Sequence, residues 1–319
     1  MTTRDSANEI RITRIYDAPV ALVWKAWTDL DHVSQWWGPR GFTITTRSKD
    51  LRPGGHWHYT MHGPDGTDYP NFARSHEVVP QAKLVYDHSA SSADAAPLFH
   101  VTATFRNLGA KTEFDMRMTL QSAEEARQRR AFIKAGGGNA TWDRLAEHLE
   151  NAITQKEVFV INRSFEAPVA AVFDCWTNPA HLALWLPPTG FDMVFRHVDI
   201  RAGDESAFTM TNGDFTIHAR QLYVRVQPSE LIEYLQTFTD ADGSISRHPG
   251  APLWPETTMV TVQFAEEGSA QTRVTVRFAI VGAATPDEIG ALTGERTGMT
   301  AGWSASFDAL DGVLAGASA

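Results

Sequence analysis

The sequence predicts an α+β protein built from two tandem copies of one domain. First, Ala18-Pro19-Val20, Trp27-Thr28, His32, Trp36 and Gly41-Phe42 recur as Ala167-Pro168-Val169, Trp176-Thr177, His181, Trp185 and Gly190-Phe191, at a constant spacing of 149 residues. A fixed period of that length means a duplicated domain, since solenoid repeats are far shorter. Second, each copy opens with an alternating strand followed by two short helical patterns. Third, short alternating segments separated by turn residues then run without an intervening helix until one closing helix. That order excludes a doubly wound parallel sheet and predicts an antiparallel meander covered by a helix.

The elements follow in order. Ile10, Ile12 and Tyr16 alternate with Arg11, Thr13 and Ile15, which makes residues 9–16 a strand with one buried face. Phe159, Ile161 and Phe165 do the same in copy two. Arg14 and Arg163 fall on the apolar faces, where a packed stem and a carboxylate partner are expected, with an anion contact at a cavity edge as the alternative. Asp17-Ala18-Pro19 ends the strand and opens a helix whose stripe is Val20, Val23, Trp24 and Trp27. A second short helix runs from Asp29 to Trp37 and is broken by Gly38-Pro39.

Strands are expected at 42–50, 54–62, 70–79, 83–89, 98–106 and 111–120, with turns such as Pro53-Gly54-Gly55 and Gly63-Pro64-Asp65-Gly66 between them. A long helix over 122–150 closes the copy through Trp142, Leu145 and Leu149. Phe307, Leu310 and Leu314 are read as the same face in copy two. Gly136-Gly137-Gly138 predicts a kink or break in the first closing helix. The expected domains are 1–153 and 157–319, joined by Thr154-Gln155-Lys156, with a longer insertion in copy two at Asp240 to Pro255.

Composition narrows the function classes. A net charge of −10 with no basic run disfavours nucleic acid and anionic membrane surfaces as partners. There is no run of about 18 apolar residues, the length a membrane span needs, so none is expected. The N-terminal residues lack the apolar core of a secretory signal, so a cytoplasmic protein is expected. The one cysteine, Cys175, cannot form an internal disulfide and is read as a buried, inert thiol. No Gly-x-Ser-x-Gly elbow, P-loop or dinucleotide fingerprint is present, and no cofactor is expected.

A strand, two small helices, an antiparallel sheet and a long helix make the helix-grip arrangement. The residues Arg14-x-Tyr16-x-Ala18-Pro19-x-x-x-Val23-Trp24, Trp27-Thr28, Trp36-Trp37, Asp50-x-Arg52-x-Gly54-Gly55 and Met61-x-Gly63-Pro64-Asp65-Gly66 resemble the SRPBCC (START/Bet v 1-like) superfamily. Within it they look like the branch named after the activator of Hsp90 ATPase, the AHSA1-like proteins. Copy two keeps Arg163, Ala167-Pro168, Trp176-Thr177, Trp185, Asp199, Arg201, Gly203 and Met210. It departs at Leu186, at Asp204 and at Thr211-Asn212-Gly213-Asp214. The resemblance implies a sheet curled around the helix and an apolar cavity. Many members of the superfamily bind small hydrophobic molecules there, and a few act on them as cyclases, hydrolases or resistance proteins. The branch name also implies a chaperone partner. This chain, without the extra N-terminal domain of the eukaryotic co-chaperone, is not expected to take one.

Strand parity then nominates the cavity wall. Trp57, Tyr59 and Met61 share one face, and Ser206, Phe208 and Met210 stand in their places in copy two. Aromatic and methionine walls suit a flat or greasy ligand. The candidate ligand-binding residues are Trp37, Trp57, Tyr59, Met61, His76, Tyr86, Met116, Trp185, Phe208, Met210 and Tyr234. Copy two replaces Trp37, Trp57 and His76 with Leu186, Ser206 and Val224, so the N-terminal copy is expected to be the better binder. His76 shares a face with Val78, and the pair aligned with them is Val224 and Val226, so His76 is expected to point inward. There it is the candidate general base, with Tyr86 nearby, if the protein is an enzyme. His56 and His58 have a spacing that two zinc ligands use, with His62 next on the same face. Their outer face and their replacement by Glu205, Ala207 and Thr211 lead to the expectation of no metal.

Overall fold

The computed structural model describes residues 6–92, 94–135, 140–153, 158–268 and 270–317. The chain divides into two compact units, Met1–Ile153 and Thr154–Ala319. Unit one runs β1 (Glu9–Tyr16), α1 (Val20–Thr28), α2 (Leu30–Trp36), β2 (Thr43–Lys49), β3 (His56–His62), β4 (Asp68–Val79), β5 (Lys83–Ser89), β6 (Pro97–Asn107), β7 (Thr112–Thr119), α3 (Ala123–Ala135) and α4 (Ala140–Ile153). Unit two repeats the order as β8 (Val158–Phe165), α5 (Val169–Thr177), α6 (Pro179–Trp185), β9 (Asp192–Val198), β10 (Glu205–Asn212), β11 (Phe215–Gln227), β12 (Leu231–Thr239), β13 (Thr257–Gly268), β14 (Gln271–Ile280), α7 (Pro286–Gly294) and α8 (Arg296–Ala317).

Each unit holds one seven-stranded antiparallel sheet, in the orders β1-β7-β6-β5-β4-β3-β2 and β8-β14-β13-β12-β11-β10-β9. The architecture is α+β, two tandem helix-grip domains, as the sequence implies. The expected break at 136–138 and the linker 154–156 lie outside the described residues.

Local chemistry sets the small helices. Pro19 and Pro168 stand at the N-caps of α1 and α5 in the extended conformation. The Asp29 carboxylate caps α2 by accepting from the Asp31 and His32 amides at 2.9 and 3.3 Å. Asn178 does the same for α6, accepting from Ala180 N at 3.1 Å. The second tryptophan of the repeat locks the pair of helices together. Trp36 Nε1 donates to Ala26 O at 2.9 Å and Trp185 Nε1 donates to Cys175 O at 2.8 Å, both rings fully buried.

The closing helix meets this clamp through stacked rings. Trp27 lies on Trp142 at 5.8 Å and 16°, and Trp176 lies on Trp303 at 6.0 Å and 12°. Trp303, rather than Phe307, is therefore the counterpart of Trp142, one turn earlier than the sequence pattern suggests. That alignment sets Ser306 at the place of Leu145, and Leu310 at that of Leu149. Of the two arginines at equivalent places in the repeat, the half-buried Arg163 reaches Asp308 and Asp311 of α8 at 2.9 and 2.6 Å, and the buried Arg14 donates to Thr13 O at 3.0 Å.

Replacing Trp36 or Trp185 by Phe leaves a carbonyl buried without its donor, which costs about 1–3 kcal/mol. The expected result is destabilisation of that size in the altered domain alone, read from amide exchange of its own strands. Loss of protection in both domains from a single substitution would contradict a local role for the bond.

Candidate functional site

The concave face of each sheet and its closing helix enclose a space, and the two copies fill it differently. In domain one the rings fill most of it. Trp57 and Tyr59 stack at 4.1 Å, Trp37 sits 5.3 Å from Trp57, and Trp37 Nε1 donates to the Tyr59 hydroxyl at 3.0 Å. What remains is a cavity of about 220 Å³ reaching Met61, Met116 and Trp142, and a small one of about 40 Å³ beside Trp57 and Lys49. Burial pushes the Tyr59 and Tyr86 phenols up, so both are neutral hydroxyls at any ordinary pH.

Domain two holds the larger cavity, about 480 Å³. The sequence points to the N-terminal copy as the better-formed binder, whereas the larger of the described cavities lies in the other copy. The physical reason is side-chain volume: aromatic rings on a concave wall occupy the space they were expected to line. Leu186 replaces Trp37, Ser206 replaces Trp57, and α8 presents Gly298, Gly302 and Ser306 at four-residue spacing along the cavity. A Cβ built on Gly302 meets nothing within 4 Å. Phe208, Met210 and Tyr234 line this cavity as the sequence predicts.

The insertion at 240–255 completes the wall. It folds back through bridges Thr239↔Ile245 and His248↔Ala251, and contributes His248 and Trp254 to the lining. Arg247 anchors it by donating to Trp254 O at 2.5 Å and to Glu288 at 2.8 Å, and Glu288 belongs to the capping box of α7. Burial holds His248 below the usual imidazole range, with Glu295 opposing the shift. The sequence shows the length of this segment, but no periodicity places it.

Two further predicted residues lie elsewhere. Trp185 is fully buried, bonded to Cys175 O, and does not reach the cavity. His76 is on the outer face: its side chain is 44% exposed and its Nε2 lies 2.7 Å from Asp87. The cause is a β-bulge. The β4–β5 register shifts between Ser75 and Glu77, so parity inverts at His76, and the same shift occurs between Tyr223 and Arg225 in domain two. His76 therefore cannot serve as a base inside the cavity. His56, His58 and His62 face outward as expected, with His62 bonded to Asp68 at 2.6 Å and His56 to Ser48 at 2.8 Å.

The imidazole that does line domain one is His88, two residues beyond Tyr86 on the same strand face, where the same parity argument would find it. Its Nε2 donates to Asn71 Oδ1 at 2.9 Å, since that atom is a carbonyl oxygen and can only accept. Its ring stacks on Phe99 at 4.6 Å and 6°. Burial, with Arg129 adding to it, pushes its pKa down to about 4.

The fold and the cavities define a class: tandem helix-grip proteins with an apolar space between sheet and closing helix. The family model described as activator of Hsp90 ATPase homolog 1-like protein matches residues 17–150 and again 166–315, and the chain belongs to that family. Solved structures similar to it include a Nitrosomonas europaea protein with 22% identity and TM-score 0.43, where the match covers 47% of this chain and 99% of that one. Another is an Arthrobacter aurescens protein with 25% identity and TM-score 0.42, covering 47% and 90%. The di-domain ARO/CYC protein BexL of the BE-7585A biosynthetic pathway matches over 96% of this chain and 98% of its own, with 16% identity and TM-score 0.37. No curated protein matches the sequence. No described helix is long and apolar enough to cross a membrane.

His88 gives domain one a pH dependence with a defined sign. An unfolded imidazole takes its proton near 6.5 and the folded one near 4, so between those values the unfolded chain binds more protons. Stability is full above pH 6.5 and is expected to fall toward pH 4, by up to about 3 kcal/mol. Amide exchange of β5 and β6 across that range measures it, and His88→Phe is expected to flatten the slope. An unchanged slope in that variant would assign the dependence to other groups.

Proposed function

We propose that the protein binds a small, neutral, flat apolar molecule, and that domain two carries the site. The observation that supports this reading is the cavity of about 480 Å³ walled by Phe208, Tyr234, Phe238, Trp254 and Trp303. That volume lies in the range of drug-sized ligand sites, which span about 300–1,000 Å³. Among the lining residues Glu295 is the ionisable acid and there is no lysine or arginine, so an anionic ligand finds no counter-charge. The polar groups on the wall include Gln221, Gln236, Tyr234 and His248. Gln221 Oε1 already accepts from the Tyr223 hydroxyl at 3.0 Å, and we assign Gln236 as the amide that meets a ligand's carbonyl or hydroxyl.

The test fills the cavity without touching the rest of the domain. Gly302→Leu sends a side chain into space that is open around its Cβ, and it exchanges a poor helix former for a good one, worth about 0.8 kcal/mol. N-phenyl-1-naphthylamine, a neutral apolar fluorophore, is expected to bind one per chain. Gly302→Leu is expected to weaken that binding at least tenfold at unchanged or higher thermal stability. Trp57→Ala in domain one is expected to leave it unchanged. Equal binding by wild type and Gly302→Leu would remove the site from this cavity.

A further inference from the structure

Outside both cavities, three donors converge on the convex face of the first sheet. His76 Nε2 lies 2.7 Å from Asp87 Oδ2, and His100 Nδ1 lies 2.8 Å from Asp87 Oδ1. The two nitrogens and a carboxylate oxygen all fall within 4.8 Å of one another. The rings face each other at 6.0 Å and 28°. We propose that His76, Asp87 and His100 form a surface site for a first-row divalent cation of the zinc type, with water completing its coordination.

Three features carry this. The donor set is right: two imidazoles and a carboxylate are the ligands zinc takes in open sites, which keep a fourth position for water. The backbone is fixed, because the donors sit on three adjacent strands, with Asp87 directly opposite His100 in the β5–β6 register. The bulge in β4 is what turns His76 outward beside them. Distances also suit a cation. Donors about 2.0–2.1 Å from a tetrahedral ion stand roughly 3.3 Å apart, so the two hydrogen-bonded contacts open by about half an ångström and the imidazole nitrogens, within 4.8 Å of each other, draw together. Side-chain rotation supplies that, since both imidazoles are 44% exposed. Asp87 turns one carboxylate oxygen toward each ring, Oδ2 to His76 and Oδ1 to His100.

Domain two supplies an internal comparison. Its bulge falls at the same place in the strand but carries Val224, 49% exposed. The position aligned with Asp87 is Leu235, whose cross-strand partner is Met259. The bulge thus belongs to the fold and does not exist to bind metal, while the three donors are particular to domain one. The expectation of no metal rested on His56, His58 and His62, which make separate contacts with Ser48, Phe72 and Asp68, and did not set His76 beside Asp87 and His100.

The experiment uses the full chain and ZnCl₂ alone, followed by titration calorimetry and, with CoCl₂, by visible absorption. One strong site per chain is expected, with a tetrahedral cobalt band and a rise in domain-one melting temperature. His76→Val, the residue domain two tolerates at its own bulge, and His100→Ala are each expected to weaken that site at least tenfold at unchanged circular dichroism. His58→Ala is expected to leave it intact. Binding that survives His76→Val and His100→Ala, or no binding up to millimolar zinc, would overturn the site and leave the three residues as a hydrogen-bonded surface cluster.

Discussion

The space between a curled sheet and its closing helix must be filled by side chains, by water or by a guest, and everything distinctive in this protein follows from that constraint. Protein interiors pack as densely as organic crystals, so a few ring-sized substitutions decide whether a void exists. Domain one meets the constraint with Trp37, Trp57 and Tyr59 interlocked around one hydrogen bond. Domain two keeps the clamp of Trp176, Trp185 and Trp303 but loses volume at Leu186, Ser206 and along α8. The same frame yields a cavity of about 220 Å³ in one copy and one of about 480 Å³ in the other.

Much of this was legible in the sequence, and the rest was hidden for identifiable reasons. The repeat exposes the duplication because Pro19/Pro168, Trp27/Trp176 and Trp36/Trp185 hold structural jobs that neither copy can abandon. Strand parity places Tyr59, Met61, Phe208 and Met210 on the concave wall, because the pleat alternates without interruption in β3 and β10. Parity fails at His76, because one extra residue in a strand inverts every face beyond the point where it enters, and no residue type at Ser75-His76-Glu77 announces the bulge. The ranking of the two cavities fails for another reason. Ring side chains signal a wall, but only three-dimensional packing tells a wall from a plug.

The bulge also shows how duplicated scaffolds diverge. Its backbone is common to both copies, and what it presents outward is an imidazole in one and a valine in the other. A fold-level irregularity of this kind is a platform whose chemistry is set by one residue and its cross-strand neighbours. The closing helix diverges in the same manner on the inner side, where Leu145 stands at zero exposure and its counterpart Ser306 borders open space. Neither change disturbs the sheet ladder, which explains how both copies keep one architecture.

The energetics of the larger cavity bear on what it is for. The cavity is partly open to solvent, so it is not held as a dry void. Water can enter, but a wall of Phe208, Phe238, Trp254 and Trp303 offers it few of the two to four partners that a held water needs. Water in such a place is poorly bonded and readily displaced, and displacing it with an apolar surface is favourable at about 25 cal/mol per Å². A domain that gave up ring volume along its sheet and its helix is thus left with a space whose walls are mostly apolar.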